Sequence, residues 1–206
     1  QPNDNTSDLN YTSTSALSLN SGSIKDLVGN DADLTLPALD SSASLGGSKN
    51  IVLDGIRPTV VSTSPEDNSV SVTSGIYITF SEAMDTSSVT TNTGGTTCTG
   101  TLQVSADNFS SCVRMYQAPY ASNSNKTFTL ATYSDSGFLN NTTYHIRVTT
   151  GVKDSAGNAM SSQHTTTNGF TTIAADTTPP TVASVSPADG ATGVSTSPDI
   201  SITFSE

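Results

Sequence analysis

The stretch Pro58-Thr-Val-Val-Ser-Thr-Ser-Pro65, continued through Ile76-Tyr-Ile-Thr-Phe80 into Ser81-Glu82, sets the architecture of this chain. Ile76, Ile78 and Phe80 alternate with Tyr77 and Thr79, the period of a strand with one buried face. The same text returns as Pro180-Thr-Val-Ala-Ser-Val-Ser-Pro187, with Ile200-Ser-Ile-Thr-Phe204 leading to Ser205-Glu206. A second echo fixes the phase of the repeat: Gly22-Ser-Ile-Lys-Asp26-Leu-Val-Gly-Asn30 matches Thr150-Gly-Val-Lys-Asp154-Ser-Ala-Gly-Asn158. In the longer unit this motif lies near the C-terminal end. Residues 1–54 therefore read as the rear half of one unit and 58–173 as a complete unit. Residues 174–179 read as a linker, and 180–206 as the front part of the next unit. The expectation is a segment of a tandem array, cut out of step with its repeat.

Within 58–173, short alternating runs are predicted as strands at Val60–Val61, Ile76–Phe80, Leu102–Val104, Val113–Met115, Phe128–Leu130, Tyr144–Val148 and Phe170–Ile173. Pro65-Glu-Asp-Asn68 and Asp154-Ser-Ala-Gly-Asn158 are predicted turns. Strands punctuated in this way point to an all-β, antiparallel sandwich. In 1–54, Tyr11, Ala16, Leu17 and Leu19 suggest a strand, and further strands are predicted at Ile24, at Leu34–Leu36 and at Ile51–Leu53. The linker Ala174-Ala-Asp-Thr-Thr-Pro179 runs into Pro180, and paired prolines stiffen it and forbid helix.

Composition narrows the function. Hydrophobic residues make up 33% of the chain and aromatics 6%, with no Trp. Ser and Thr supply about a third, which favours exposed strands and turns over helices. Seven basic residues against 18 acidic ones leave a net charge of −11, the wrong sign for nucleic acid or anionic lipid. No apolar run reaches the length of a membrane-spanning helix. Cys98 and Cys112 stand alone, without a CxxC pair, so a zinc site is not expected. A disulfide between them implies an oxidising, extracellular setting.

Taken together, Pro58-Thr-Val through Phe80-Ser-Glu-Ala-Met84, the Lys153-Asp-Ser-Ala-Gly-Asn158 turn and Gly169-Phe170-Thr-Thr resemble a bacterial Ig-like domain of the S-layer type. Asp8 to Pro37 is similar to the rear half of repeats in very long bacterial surface proteins. The resemblance implies Ig-like β-sandwich repeats, one complete domain flanked by two partial ones, in a structural or adhesive protein of the cell surface. It brings no catalytic residues with it.

The residues themselves offer no catalytic constellation. His145 lies in an alternating strand and His164 in a polar stretch, and neither is near a nucleophile motif. Glu82 and Asp85 fit a strand-end turn better than a carboxylate dyad. Calcium is the one cofactor in view. It takes about six to eight oxygens, and a linker aspartate plus loop carboxylates can supply several of them. Asp54 and Asp176 are the linker candidates and Glu82 a further one. The competing reading is that these Asp and Asn residues simply cap turns.

Two functions remain. The first is a structural module of a fibre, surface layer or adhesin stalk, whose partners are neighbouring repeats or further copies joined head to tail. The second is an adhesive or carbohydrate-binding module, for which Tyr116 and Tyr120 are the exposed aromatics.

Overall fold

A computed structural model describes residues 4–133, 137–197 and 199–205. Glu206, which closes the second copy of the repeated motif, lies outside the described residues. The chain forms two compact units, residues 1–173 and 174–206.

The sandwich occupies most of the first unit. One sheet has the order β3 (Val60–Ser64), β5 (Ile76–Phe80), β8 (Thr127–Leu130) and β7 (Tyr120–Ser122), antiparallel throughout. The other is built on β9 (Thr143–Val148). β6 (Leu102–Ser105) lines one edge of β9, while β10 (His164–Thr165) and β11 (Phe170–Thr172) follow each other along the opposite edge. Between β10 and β11 the Thr166 hydroxyl accepts the Ile146 N–H at 2.9 Å, and His145 Nδ1 faces the Thr166 carbonyl oxygen at 3.0 Å. His145 is thus engaged with the sheet. β4 (Asn68–Val70) joins β11 in the one parallel pairing among the described strands.

The predicted strands that form, β3, β5, β6, β8, β9 and β11, place apolar residues inward by alternation. Ile76, Ile78, Phe80, Phe128, Leu130, Ile146, Val148 and Phe170 are all buried. Phe80 packs edge-on to Phe128 with centroids 5.9 Å apart, and Phe138 packs against Phe170 at 5.1 Å. β4, β7 and β10 escape the sequence reading because each is only two or three residues of mainly polar text. The expected strand at Val113–Met115 is reduced to an isolated bridge, Met115 to Thr132. Here the Cys98–Cys112 disulfide (S–S 2.07 Å, Cα–Cα 4.9 Å) closes the adjoining loop as the sequence predicts.

Residues 4–54 behave differently from their expected strands. Only β1 (Asn5–Thr6) and β2 (Leu53–Asp54) pair, and one turn of helix, α1 (Leu45–Ser48), is capped by Ser44 Oγ, which accepts from Gly47 N. The predicted strands at Ala16–Leu19 and Leu34–Leu36 are not strands. Leu36 N donates instead to Thr14 O at 2.8 Å, ahead of the first of these segments. Local side chains supply much of the remaining bonding, with Asp33 Oδ1 accepting from Thr35 N and Asp26 from Val28 and Asn30. Leu27 and Val28 stand in solvent, so no apolar face drives a sheet to form.

The second unit is a hairpin of β12 (Val182–Ser186) and β13 (Ser201–Phe204). It reproduces the β3–β5 pair residue for residue. Val182 faces Phe204 as Val60 faces Phe80, with the same irregularity one step along. Thr181 N donates to Ser205 Oγ at 3.1 Å, as Thr59 N does to Ser81 Oγ at 3.0 Å. The difference is burial: Ile202 and Phe204 are 53% and 54% exposed, whereas Ile78 and Phe80 are buried.

Candidate metal centre

The acidic side chains converge where the chain enters the sandwich. Oxygen atoms of Asp54, Glu82 and Asp154 all lie within 4.8 Å of one another. Three separate segments deliver them. Asp54 ends β2, immediately before the turn into β3, and its Oδ1 accepts from Ile56 N at 3.1 Å. Glu82 follows β5 on the Ser81–Glu82 turn. Asp154 sits in the loop after β9, which is laced to the Glu82 turn by Ser155 N to Ala83 O and Asp85 N to Lys153 O, and by a bridge between Met84 and Asp154.

Asp154 is fully buried, and its loop explains how a carboxylate is tolerated there. Oδ1 accepts from Ala156 N (2.8 Å) and Asn158 N (2.9 Å), while Oδ2 accepts from Asn158 Nδ2 (2.9 Å). Gly157 makes the turn at φ +96°, a conformation that favours glycine. The same Asn158 amide also donates to the main-chain oxygen of Asp54 at 2.9 Å, clipping the incoming segment to the loop. Arg57 Nη1 adds a bond to Ala159 O at 2.9 Å.

Glu82 shows the electrostatic consequence. Burial pushes its carboxyl above the ordinary value of 4.5, and the negative charges of Asp154 and Asp54 push in the same direction, with Lys126 opposing weakly. Its Oε1 is buried and has no hydrogen-bond partner among the described residues.

The donor set fits a hard divalent cation. All three candidate donors are carboxylate oxygens, with no sulfur or imidazole in the group, which suits calcium over zinc. Calcium–oxygen bonds of about 2.4 Å place oxygens on opposite sides of an ion about 4.8 Å apart, so a separation within 4.8 Å is compatible with a shared ion.

The site residues expected from sequence divide accordingly. Asp54 and Glu82 meet in one cluster. Asp176 belongs to the second unit, where its Oδ1 accepts from Thr178 N at 2.9 Å, and it is not in this cluster. Asp154 takes the third place. The sequence shows it as the aspartate of the duplicated Lys-Asp-x-x-Gly-Asn loop, one of the turn carboxylates but not one of the three singled out. Asp85 points elsewhere, with Oδ1 accepting from Ser87 N and Oγ, a turn cap that lowers its pKa.

Among solved structures, the crystal structure of the S-layer protein rSbsC(31-844) matches with a TM-score of 0.41 at 18% identity, covering 63% of this chain and 15% of that one. The structure of surface layer protein SbsC, domains 1-6, gives 0.40 at 19% identity, over 62% of this chain and 15% of that one. The N-terminal part of the bacterial S-layer protein SbsC gives 0.41 at 18%, over 61% and 26%. No curated protein matches. The sequence itself matches the bacterial Ig-like domain over residues 54–172 and again over 176–206, the first match opening on Asp54. The chain belongs to the bacterial Ig-like domain family.

Proposed function

We propose that this chain is a non-catalytic structural segment of an extracellular bacterial protein, a repeat unit of a fibre, surface layer or adhesin stalk. Family membership supports the modular role, and the Cys98–Cys112 disulfide supports a location outside the reducing cytoplasm.

The observation that carries the reading is the convergence of Asp54, Glu82 and Asp154 at the point where the chain enters the sandwich. A calcium ion held there ties the incoming segment to two loops of the domain body, so that a hinge becomes a strut. Water and main-chain oxygens complete the coordination. Asp176 precedes Pro180 by the spacing at which Asp54 precedes Pro58, and it takes the same part for the following unit.

The partners are neighbouring repeats of the same kind. The apolar side chains on β12 and β13, among them Val185, Ile202 and Phe204, are the counterparts of buried positions in the sandwich. They support head-to-tail closure of one unit by the strands of another.

Hydrogen exchange at Gly55 and Ile56 tests the strut. Calcium slows exchange at these amides and a chelator restores it; exchange indifferent to calcium overturns the role. Antibody labelling of intact cells tests the location, and labelling confined to permeabilised cells would refute it. For the association, Ile202→Asp abolishes concentration-dependent self-assembly in sedimentation velocity, and assembly that survives this substitution argues against the hairpin as the joint.

A further inference from the structure

The outer face of the β3-β5-β8-β7 sheet is lined by side chains that carry hydroxyls. The strand register lays its side chains in two cross-strand rows. One row is Ser62, Thr79, Thr127 and Ser122, and the next is Ser64, Tyr77, Thr129 and Tyr120. Directly opposed residues share a face, and the alternate residues Thr63, Ile78 and Phe128 are buried on the other side. Every one of these eight outward side chains therefore carries a hydroxyl, and none carries a charge. In a chain of net charge −11, this is a neutral, hydroxylic plane.

Two aromatic rings stand on that plane. Tyr77 and Tyr120 are 48% and 67% exposed, and both are paired with Thr129, one from each side. Two strand spacings separate them, about 10 Å. The Tyr77 ring reaches back across Gly75, where an added Cβ would meet its Oη at 3.4 Å and its Cε2 at 3.6 Å. The aromatic surface continues along the chain beyond β8. Tyr116 N donates to Ala131 O, and the Tyr116 and Tyr133 rings meet edge-on, 5.4 Å apart. Arg114 holds Tyr133 in place, its guanidinium 4.3 Å over the ring and its Nη2 donating to the Tyr133 hydroxyl. Four of the six tyrosines of the chain gather in this region.

We infer that this face binds a neutral, linear polysaccharide, with Tyr77 and Tyr120 each stacking on one sugar ring and the Thr129 hydroxyl lying beneath the sugar between them. The apolar C–H face of a pyranose packs on the negative face of an aromatic ring. The spacing of the two tyrosines is close to the length of two sugar units in an extended glycan, so the rings meet alternate residues. The surrounding Ser and Thr hydroxyls donate to and accept from sugar hydroxyls, the chemistry expected of a polyhydroxylated ligand without charge. An anionic glycan would need a basic groove, and these two rows contain none. A protein partner would need an apolar centre to its interface, and these rows hold no aliphatic side chain.

The experiment is affinity electrophoresis of the full chain through gels containing soluble β-1,4-glucan, β-1,3-glucan, xylan, mannan or α-glucan, with polygalacturonate as an anionic control. The chain has no Trp, so quenching of its tyrosine fluorescence reports binding independently. At least one neutral glycan should retard the wild-type chain. Tyr77→Ala and Tyr120→Ala should each weaken that binding roughly tenfold and the double variant abolish it, at unchanged melting temperature. Tyr77→Phe, which keeps the ring, should bind within about threefold of wild type. The proposal is overturned by the absence of retardation and quenching on every neutral glycan. It is equally overturned by binding that survives the double variant, by binding lost in Tyr77→Phe, or by retardation on polygalacturonate alone.

Discussion

Replacing Glu82 by Gln should change the stability of this protein in opposite directions with and without calcium. In the cation-free chain, burial and the charges of Asp154 and Asp54 raise the Glu82 pKa above 4.5. A carboxyl whose folded pKa is raised binds its proton more tightly in the folded state. Its favourable contribution is therefore present at low pH and declines as pH rises from 4.5 through the raised value. Above that raised value the ionised Glu82 is a liability, and Glu82→Gln removes a half-buried charge while keeping the shape. Without calcium, the variant should melt at or above the wild-type temperature. With calcium the order reverses. Extracellular calcium modules bind with Kd of about 10⁻⁴–10⁻³ M, so about 10 mM calcium stabilises the wild type by roughly 1.4–2.7 kcal/mol. For a unit of this size that is a rise in Tm of about 3–11 °C. The variant, with one ligand lost, should show little of it. Thermal melts of both chains in EGTA and in calcium check the crossing. A wild type whose Tm ignores calcium, or a variant that keeps the full calcium shift, refutes the reasoning.

Four further outcomes follow from other parts of the fold. Cys98→Ser with Cys112→Ser opens a loop with a sequence separation of 14, and urea unfolding should show a loss of about 3 kcal/mol. Gly169 has φ +66°, and a Cβ there would meet the Tyr144 carbonyl oxygen at 2.2 Å, so Gly169→Ala should cost roughly 2–4 kcal/mol in the same assay. Gly157→Ala, at φ +96° but with open space around it, should cost only about 1–2 kcal/mol. Asp107 is held at about 2, below its ordinary 3.8, first by the Ser111 hydroxyl and then by the Ser111 N–H and the Ser105 hydroxyl. Its contribution is present above pH 3.8 and lost as pH falls through about 2, so Asp107→Asn should flatten the stability profile in that window.

The fold was legible where the period of the sequence and the tertiary environment agree. Ile76, Ile78 and Phe80 alternate in text and face the core in space. The same alternation in Ile200, Ile202 and Phe204 yields the same hairpin, with apolar side chains in solvent. Periodicity specifies which face a residue takes, and only the surrounding strands decide whether that face is covered. The weaker pattern of Leu17 and Leu19, set among Ser and Asn, specified no strand at all. There, side-chain oxygens offer the backbone local partners that compete with a sheet ladder. The eight hydroxyl-bearing side chains on the outer face were invisible for a related reason. Each is an ordinary strand residue in text, and only the register across four strands brings them into rows.

The duplicated Lys-Asp-x-x-Gly-Asn loop separates what local sequence determines from what it does not. At Asp26, Oδ1 accepts from Val28 N and Asn30 N, Oδ2 accepts from Asn30 Nδ2, and Gly29 takes φ +95°. Asp154 repeats every one of these bonds, through Ala156 N, Asn158 N and Asn158 Nδ2, with Gly157 at +96°. The two loops share the aspartate, the glycine and the asparagine, and that is enough to build the same turn in surroundings that are otherwise different. Their settings are opposite: Asp26 is exposed, and its hydrogen bonds with Asn30 lower its pKa, whereas Asp154 is buried beside two other carboxylates. The turn is thus a prefabricated mount that presents a fixed carboxylate and a spare Asn amide hydrogen. In the sandwich, that amide holds the Asp54 carbonyl and the carboxylate meets Glu82. What converts a mount into a candidate cation site is the arrival of a linker aspartate and a strand-end glutamate from distant sequence. Searching for ligands by local motif alone will find the mount at both positions, and the candidate site only at one.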